Sequence, residues 1–229
     1  MSVNGAPAAL GTRVTGEDQV RLDGRLVRQR APTMVPVLLC HRSPGVPLLP
    51  ERARRPAPEA LAPAPAVTRA APVSLAERLP RRAGRRFVSI GPMPTVDGGL
   101  ELLTSDGELA ARLQRAVRGL EVEFSVRVRG ELSEQQQQGI RDGLLDRGTT
   151  LRVLALEPSG GEGSNRWYRL LALGASGNDL RALIERQAVT LVRVLRTRLG
   201  TLELPRTLAR DHWRALSAEE LAALQGPRA

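Results

Sequence analysis

Between Ser43 and Arg86 lie more than half of the chain's 17 prolines. The centre of this stretch reads RARRPAPEALAPAPAVTRAAP. Proline has no N–H to donate and a fixed φ, so alternating Ala-Pro can neither continue a helix nor sit in a central strand. This texture divides the chain. Residues 43–86 are expected to form an extended, largely disordered, positively charged insertion, relieved only by a capped turn in SLAERL, Ser74 to Leu79. The core must come from the remainder of the 229 residues, and a hydrophobic content of 41% is enough for one sizeable domain with a smaller appendage.

Residues 1–30 read as a small β-rich unit, with turn chemistry at SVNG and a hairpin signal at Asp23-Gly24. A strand is expected over Val35 to Arg42. Residues 31–229, outside the insertion, read as the main domain. After the insertion, strands are expected at Phe87–Ile90, Leu100–Leu103, Leu120–Arg129, Leu151–Glu157, Arg166–Leu173, Val189–Arg196 and Leu202–Leu204. Helices are expected at Gly107–Ala116, Ser133 to about Leu145, Asp179–Gln187 and Ala218–Leu224, the second opening on Ser133 as N-cap. Strands and helices interleave without a regular βαβ rhythm. The fold class is therefore α+β, a mixed and mainly antiparallel sheet flanked by helices.

The formal charge is +10, and every basic residue is Arg. Such an excess favours polyanionic partners through phosphate contacts and counterion release. The single cysteine, Cys40, excludes an internal disulfide and has no Cys or His cluster around it, so no metal is expected. MSVNGAPAALG has neither the basic nor the apolar region of a signal peptide, and no apolar run approaches a membrane span. A cytoplasmic protein without membrane association is expected. SGGEG has no Lys-Ser/Thr after it and joins two expected strands, so it reads as a β-turn rather than a phosphate loop.

Several ordered motifs resemble one family. GGLELLTSDGELAARL is similar to the GLLLLTNDGELANRL pattern of bacterial ribosomal RNA pseudouridine synthases of the small- and large-subunit type. LEVEFSVRVRGEL, GGEGSNRWYRLLAL, LVRVLRTRLGTLELP and WRALSAEEL follow in that family's order, and the likeness covers nearly all of the chain outside the insertion. The first thirty residues look like the tail of an S4 RNA-binding module, truncated because its first helices would precede Met1. Arg21 and Arg25 are its RNA-binding candidates. The resemblance implies a pseudouridine synthase fold and a cofactor-free isomerase that acts on uridine in ribosomal RNA. Such an enzyme breaks the N-glycosidic bond, turns the uracil and rejoins it through carbon. The reaction implies an aspartate at the base-sugar junction, a basic residue orienting it and an aromatic stacking on a flipped base.

This chain departs from the pattern at that aspartate. The family approach reads G-R-L-D-x-x-[ST]-x-G-L. Laid on GPMPTVDGGL without gaps, Gly91, Gly99 and Leu100 match, the Arg falls on Pro92, the Leu on Met93 and the catalytic Asp on Pro94. Asp97 is the nearest acid, but extended chain would carry it about 10 Å from that slot. The stacking position is Phe124. The family's EGRNREVRRL is GASGNDLRAL here, in which Arg181 and Leu183 keep their identities.

The resemblance thus implies an RNA-binding family member without the catalytic acid, a pseudoenzyme. Two alternatives stand beside it: an active isomerase using Asp97, and a non-catalytic ribosome-associated scaffold. Arg181, Arg193, Arg196 and Arg198 match family arginines and are the RNA-binding candidates of the main domain. His41 and Arg42 fall where a strand ends, and His212 beside Trp213 reads as a surface neighbour of a packing residue.

Overall fold

Asn4-Gly5 and Asp23-Gly24 each set two consecutive residues at positive φ, 50° and 87° in the first pair, 50° and 77° in the second. That geometry makes the two-residue turn whose twist suits antiparallel strands. It folds β1 (Ser2–Val3) onto β2 (Ala6–Pro7) and β3 (Val20–Leu22) onto β4 (Arg25–Leu26), and β1 pairs with β3. The computed structural model describes residues 1–9, 11–12, 14, 18–27, 36–50, 73–79, 86–161 and 163–225. The chain divides into two units, Met1–Val35 with this small sheet and Pro36–Ala229.

The second unit runs β5 (Leu38–Arg42), β6 (Val88–Ile90), β7 (Gly98–Thr104), α1 (Gly107–Ala116), β8 (Glu121–Arg129) and α2 (Glu134–Asp142). It continues with β9 (Val153–Pro158), β10 (Asn165–Leu173), α3 (Gly177–Glu185), β11 (Leu191–Leu199), β12 (Leu202–Glu203), β13 (Trp213–Ala215) and α4 (Ala218–Gln225). The strand order is β13-β5-β7-β11-β8-β10-β9, with β6 added to β7 and β12 to β11. Only β7 against β11 is parallel among these pairs, so the sheet is mixed and mainly antiparallel, as the sequence implies.

Local chemistry sets the elements. In β8, Val122, Phe124, Val126 and Val128 are buried while the intervening residues are not, the alternation of a strand covered more heavily on one face. In β7 every residue is buried, as a central strand requires. The Asp106 carboxylate accepts from the N–H groups of Glu108 and Leu109 to start α1. Ser133 forms a capping box with Gln136 at α2, and Ser176 forms one with Asp179 at α3. The apolar faces of the helices meet Leu100, Phe124, Leu170 and Val194 in one core.

Several elements differ from expectation; β11, for one, runs Leu191–Leu199 rather than Val189–Arg196. Helix α2 stops at Asp142 because Gly143 turns left-handed, φ 68°, where a Cβ would strike the Leu151 carbonyl. Helix α3 begins at Gly177, since Ser176 rather than a residue nearer Asp179 is the cap. Strand β13 was not expected; Trp213 pairs with Cys40 and closes the sheet edge.

The flanks of the Pro-rich segment are packed. The N–H groups of Leu75 and Ala76 donate to the carbonyls of Pro47 and Leu48. Leu48, Leu75, Ala76 and Leu79 bury themselves against Leu38, Cys40 and Leu103 in a second small core. The expected insertion thus gives way to packed structure at 43–50, while the capped turn expected at Ser74–Leu79 forms as a short 3-10 helix, Leu75–Arg78, with Ser74 as its cap. The remainder of that expectation, residues 51–72 and 80–85, lies outside the described residues.

Candidate functional site

Gly98 and Gly99 let three strands approach more closely than side chains allow. A Cβ on Gly98 would collide with the Arg42 carbonyl, and one on Gly99, at φ +93°, with the Arg196 carbonyl. This contact draws β7 between β5 and β11 and sets Glu101 between Arg42 and Arg196. All three side chains are almost wholly buried. Arg42 Nε donates to Glu101 Oε1 at 2.9 Å, and Arg196 Nη2 donates to Glu101 Oε2 at 3.1 Å. Burial pushes the Glu101 carboxyl up, while the Arg196 and Arg42 charges pull it the other way.

The remaining donors of the two arginines shape the loop from Gly91 to Asp97. Arg42 donates to the carbonyls of Met93, Pro94 and Thr95, and Arg196 to that of Gly91 at 2.6 Å. The Met93 N–H donates to Glu101, and the Asp97 N–H donates to the Pro94 carbonyl. Every one of these bonds uses a carbonyl, or an N–H other than those at positions 92 and 94. Proline is therefore tolerated at both positions, because the loop never calls for the N–H it lacks.

Pro94 occupies the position that the resemblance gives to the nucleophile. It is half-buried against the first residue of α3. A Cβ on Gly177 would lie 2.5 Å from Pro94 Cδ and 2.8 Å from Met93 Sδ. The proline ring and the missing side chain at Gly177 fit one another. Beside this loop a cleft of ≈ 420 Å³ runs between Leu48, Leu49, Ser89, Pro92, Met93 and Thr95. Among the described residues its lining has no ionisable side chain.

Asp97 has no exposed surface. Its Oδ1 accepts from Arg181 Nη1 at 2.8 Å and from the Val194 N–H at 3.2 Å. Its Oδ2 is buried without a hydrogen-bond partner among the described residues. Burial pushes the carboxyl up, against the opposing pull of the Arg181 hydrogen bond and charge. The sequence alone did not foresee that Arg181 and Asp97 would form a pair. Their separation of 84 positions hides it.

Several candidates are corrected by burial. Arg196 is buried: its Nε, Nη1 and Nη2 donate to Leu100, Gly91 and Glu101 inside the protein. Phe124, expected to stack on a base, is 0% exposed and belongs to the core. Arg198 is bound to Glu121 and Glu123, and Arg181 to Asp97 and Glu185. Arg193 is partly exposed and has no side-chain hydrogen bond or ion pair among the described residues. Arg21 and Arg25 are exposed on the N-terminal sheet. His41 Nδ1 donates to the Leu208 carbonyl, and His212 Nδ1 to that of Arg210.

The sequence reading gave Glu101 no role, although it is the sole charge in the buried run GGLELLT and so carried a signal. It also missed Arg127, whose guanidinium lies 5.7 Å from the centroid of the Trp167 ring. Among the described residues no cluster of three His, Cys, Asp or Glu could hold a metal. No helix among them is long and apolar enough to cross a membrane.

Comparison with known proteins gives this geometry a family. No known family model matches the chain. It is 32% identical over 230 residues to ribosomal large subunit pseudouridine synthase B of Salmonella typhimurium, an alignment covering 99% of this chain and 74% of that protein. The protein of the same name from Escherichia coli K12 is 33% identical over 220 residues, covering 94% and 70%. The Pseudomonas aeruginosa protein is 30% identical, and the chain spans only 55% of its length. A crystal structure of pseudouridylate synthase superimposes with a TM-score of 0.61 at 16% identity, over 97% of this chain and 87% of that one, and so shares the fold. With a third of its residues identical to these relatives across nearly its whole length, the chain belongs to the ribosomal RNA pseudouridine synthase family that they represent.

Proposed function

We propose that this protein binds ribosomal RNA and does not isomerise its uridines. The observation that carries the reading is the pairing of Pro94, which lacks any nucleophile, with an Asp97 that has no surface to offer a substrate atom. A reacting carboxylate must come within about 3 Å of its target. Asp97 is held inward by Arg181 and the Val194 N–H. The positive charge of +10 supports attraction to phosphates, and exposed Arg21 and Arg25 would add contacts from the N-terminal sheet. Incubation with transcripts of ribosomal RNA, followed by carbodiimide mapping, is expected to leave uridine unchanged. Pro94→Asp alone is expected to stay inactive, because Pro92 and Gly177 supply nothing that orients a new acid.

A second reading has its own support: the Asp97–Arg181 pair is an acid held by a base, and Asp97 Oδ2 is unpartnered. In that reading the loop opens and Asp97 is the reacting acid of an active isomerase. Pseudouridine formed by the unsubstituted protein and lost in Asp97→Asn would establish it in place of the first.

A further inference from the structure

On the sheet face opposite the buried valines of β8, Arg193, Arg127 and Trp167 stand in one row across β11, β8 and β10. Arg193 is directly opposite Arg127, and Arg127 is directly opposite Trp167. Strands about 4.8 Å apart make this row about 10 Å wide. Two like charges directly opposed on an antiparallel pair disfavour each other. The acids nearby do not relieve them. Along the same face, Glu123 and Glu157 bind Arg169, and Glu121 and Glu123 bind Arg198. Arg127 Nε is buried without a hydrogen-bond partner, and neither Arg127 nor Arg193 has an ion pair among the described residues. One end of the face is neutralised by its own acids; the other presents an unpaired arginine couple beside an indole.

We infer that this row is a binding site for single-stranded RNA. The inference rests on the RNA-binding reading above and locates it. An unpaired base stacks on the Trp167–Arg127 couple, and the adjoining phosphate sits between Arg127 and Arg193. The charge needed there is negative, the π surface is sequence-tolerant, and the spacing suits one nucleotide with its phosphate. Arg196 and Arg198 take no part.

The test uses the full chain with Trp213→Phe, so that Trp167 alone reports, and an oligouridylate twelve nucleotides long. Binding is expected to quench the emission. Arg193→Glu is expected to weaken affinity at least tenfold and lower the salt slope by about 1. The same substitution should raise the thermal midpoint, because it gives Arg127 an opposite charge across the strands. Trp167→Ala should cost about tenfold and Trp167→Phe much less. Arg127→Gln, which removes no ion pair, should weaken binding without unfolding. If Arg193→Glu, Arg127→Gln and Trp167→Ala all bind as the parent does, the site is refuted while RNA binding stands. Failure of the parent to bind any RNA would refute both. Equal binding of oligoglutamate of matched charge, with no change in emission, would also refute the site.

Discussion

Replacing Glu101 with Gln would leave Arg42 and Arg196 buried side by side without a counter-charge, and breaking one partner out of a buried ion network costs about 3–5 kcal/mol. Urea unfolding of Glu101→Gln is expected to show a loss of that size; a loss near that of a surface substitution would mean that the triad is not holding the loop. Cys40 stands on β5 directly opposite Glu101, wholly buried, its thiol pushed up to about 12 by burial and by the Glu101 charge. A raised thiol pKa keeps the proton on in the folded state. Its contribution is therefore present below the ordinary thiol range and is lost as pH rises towards 12. At pH 8 the native protein is expected to resist iodoacetamide and to be alkylated only in urea. Fast labelling of the native protein would contradict the burial.

At the scale of elements, the loop Gly91–Asp97 and the start of α3 are matched surfaces. Gly177→Ala would push a methyl group into Pro94 and Met93. Overpacking of this kind costs about 1–3 kcal/mol. Pro94→Ala should offset part of that cost, and a double-mutant cycle by chemical unfolding measures the coupling. No coupling would mean that the two residues do not fill one slot. The last helix, α4, shows the same economy of parts. The Ser217 N–H donates to Glu220, the Glu220 N–H donates to Ser217 Oγ, and Arg214 grips both Glu220 oxygens. These contacts hold the Glu220 carboxyl down to about 2, its hydrogen bond from Arg214 being the largest cause. A lowered carboxyl pKa stabilises the fold above the ordinary Glu range and loses that effect as pH falls towards 2. The pair is partly exposed, so Glu220→Gln should cost only about 1 kcal/mol at pH 7. The difference from wild type should close between about pH 4.5 and pH 2; a gap that persists in acid would remove the ion pair as its cause.

For the whole molecule, charge and burial separate two kinds of arginine. Affinity for RNA is expected to fall steeply with salt. Arg196→Ala should lower stability by several kcal/mol, as removal of a buried partner does, whereas Arg193→Ala, which relieves the opposed Arg127 charge, should not lower the melting temperature and should weaken binding. The reverse pattern in melting and filter-binding assays would exchange their roles. The sequence by itself determined most of the element order, though not β13: GGLELLTSDGELAARL reads as a strand, a turn and a helix, and SEQQ as a helix start. Periodicity and caps are local, so they survive reading one residue at a time. It also determined that Pro94 cannot act as an acid, because that follows from the side chain alone. The tertiary structure decided which charges face inward. Arg193, Arg196 and Arg198 look alike in the chain, yet the approach of β7 at Gly98 and Gly99 encloses Arg196 and leaves Arg193 at the surface. The partnership of Asp97 with Arg181 belongs to the same class, since desolvation and pairing depend on what folds against a residue and not on its neighbours in sequence.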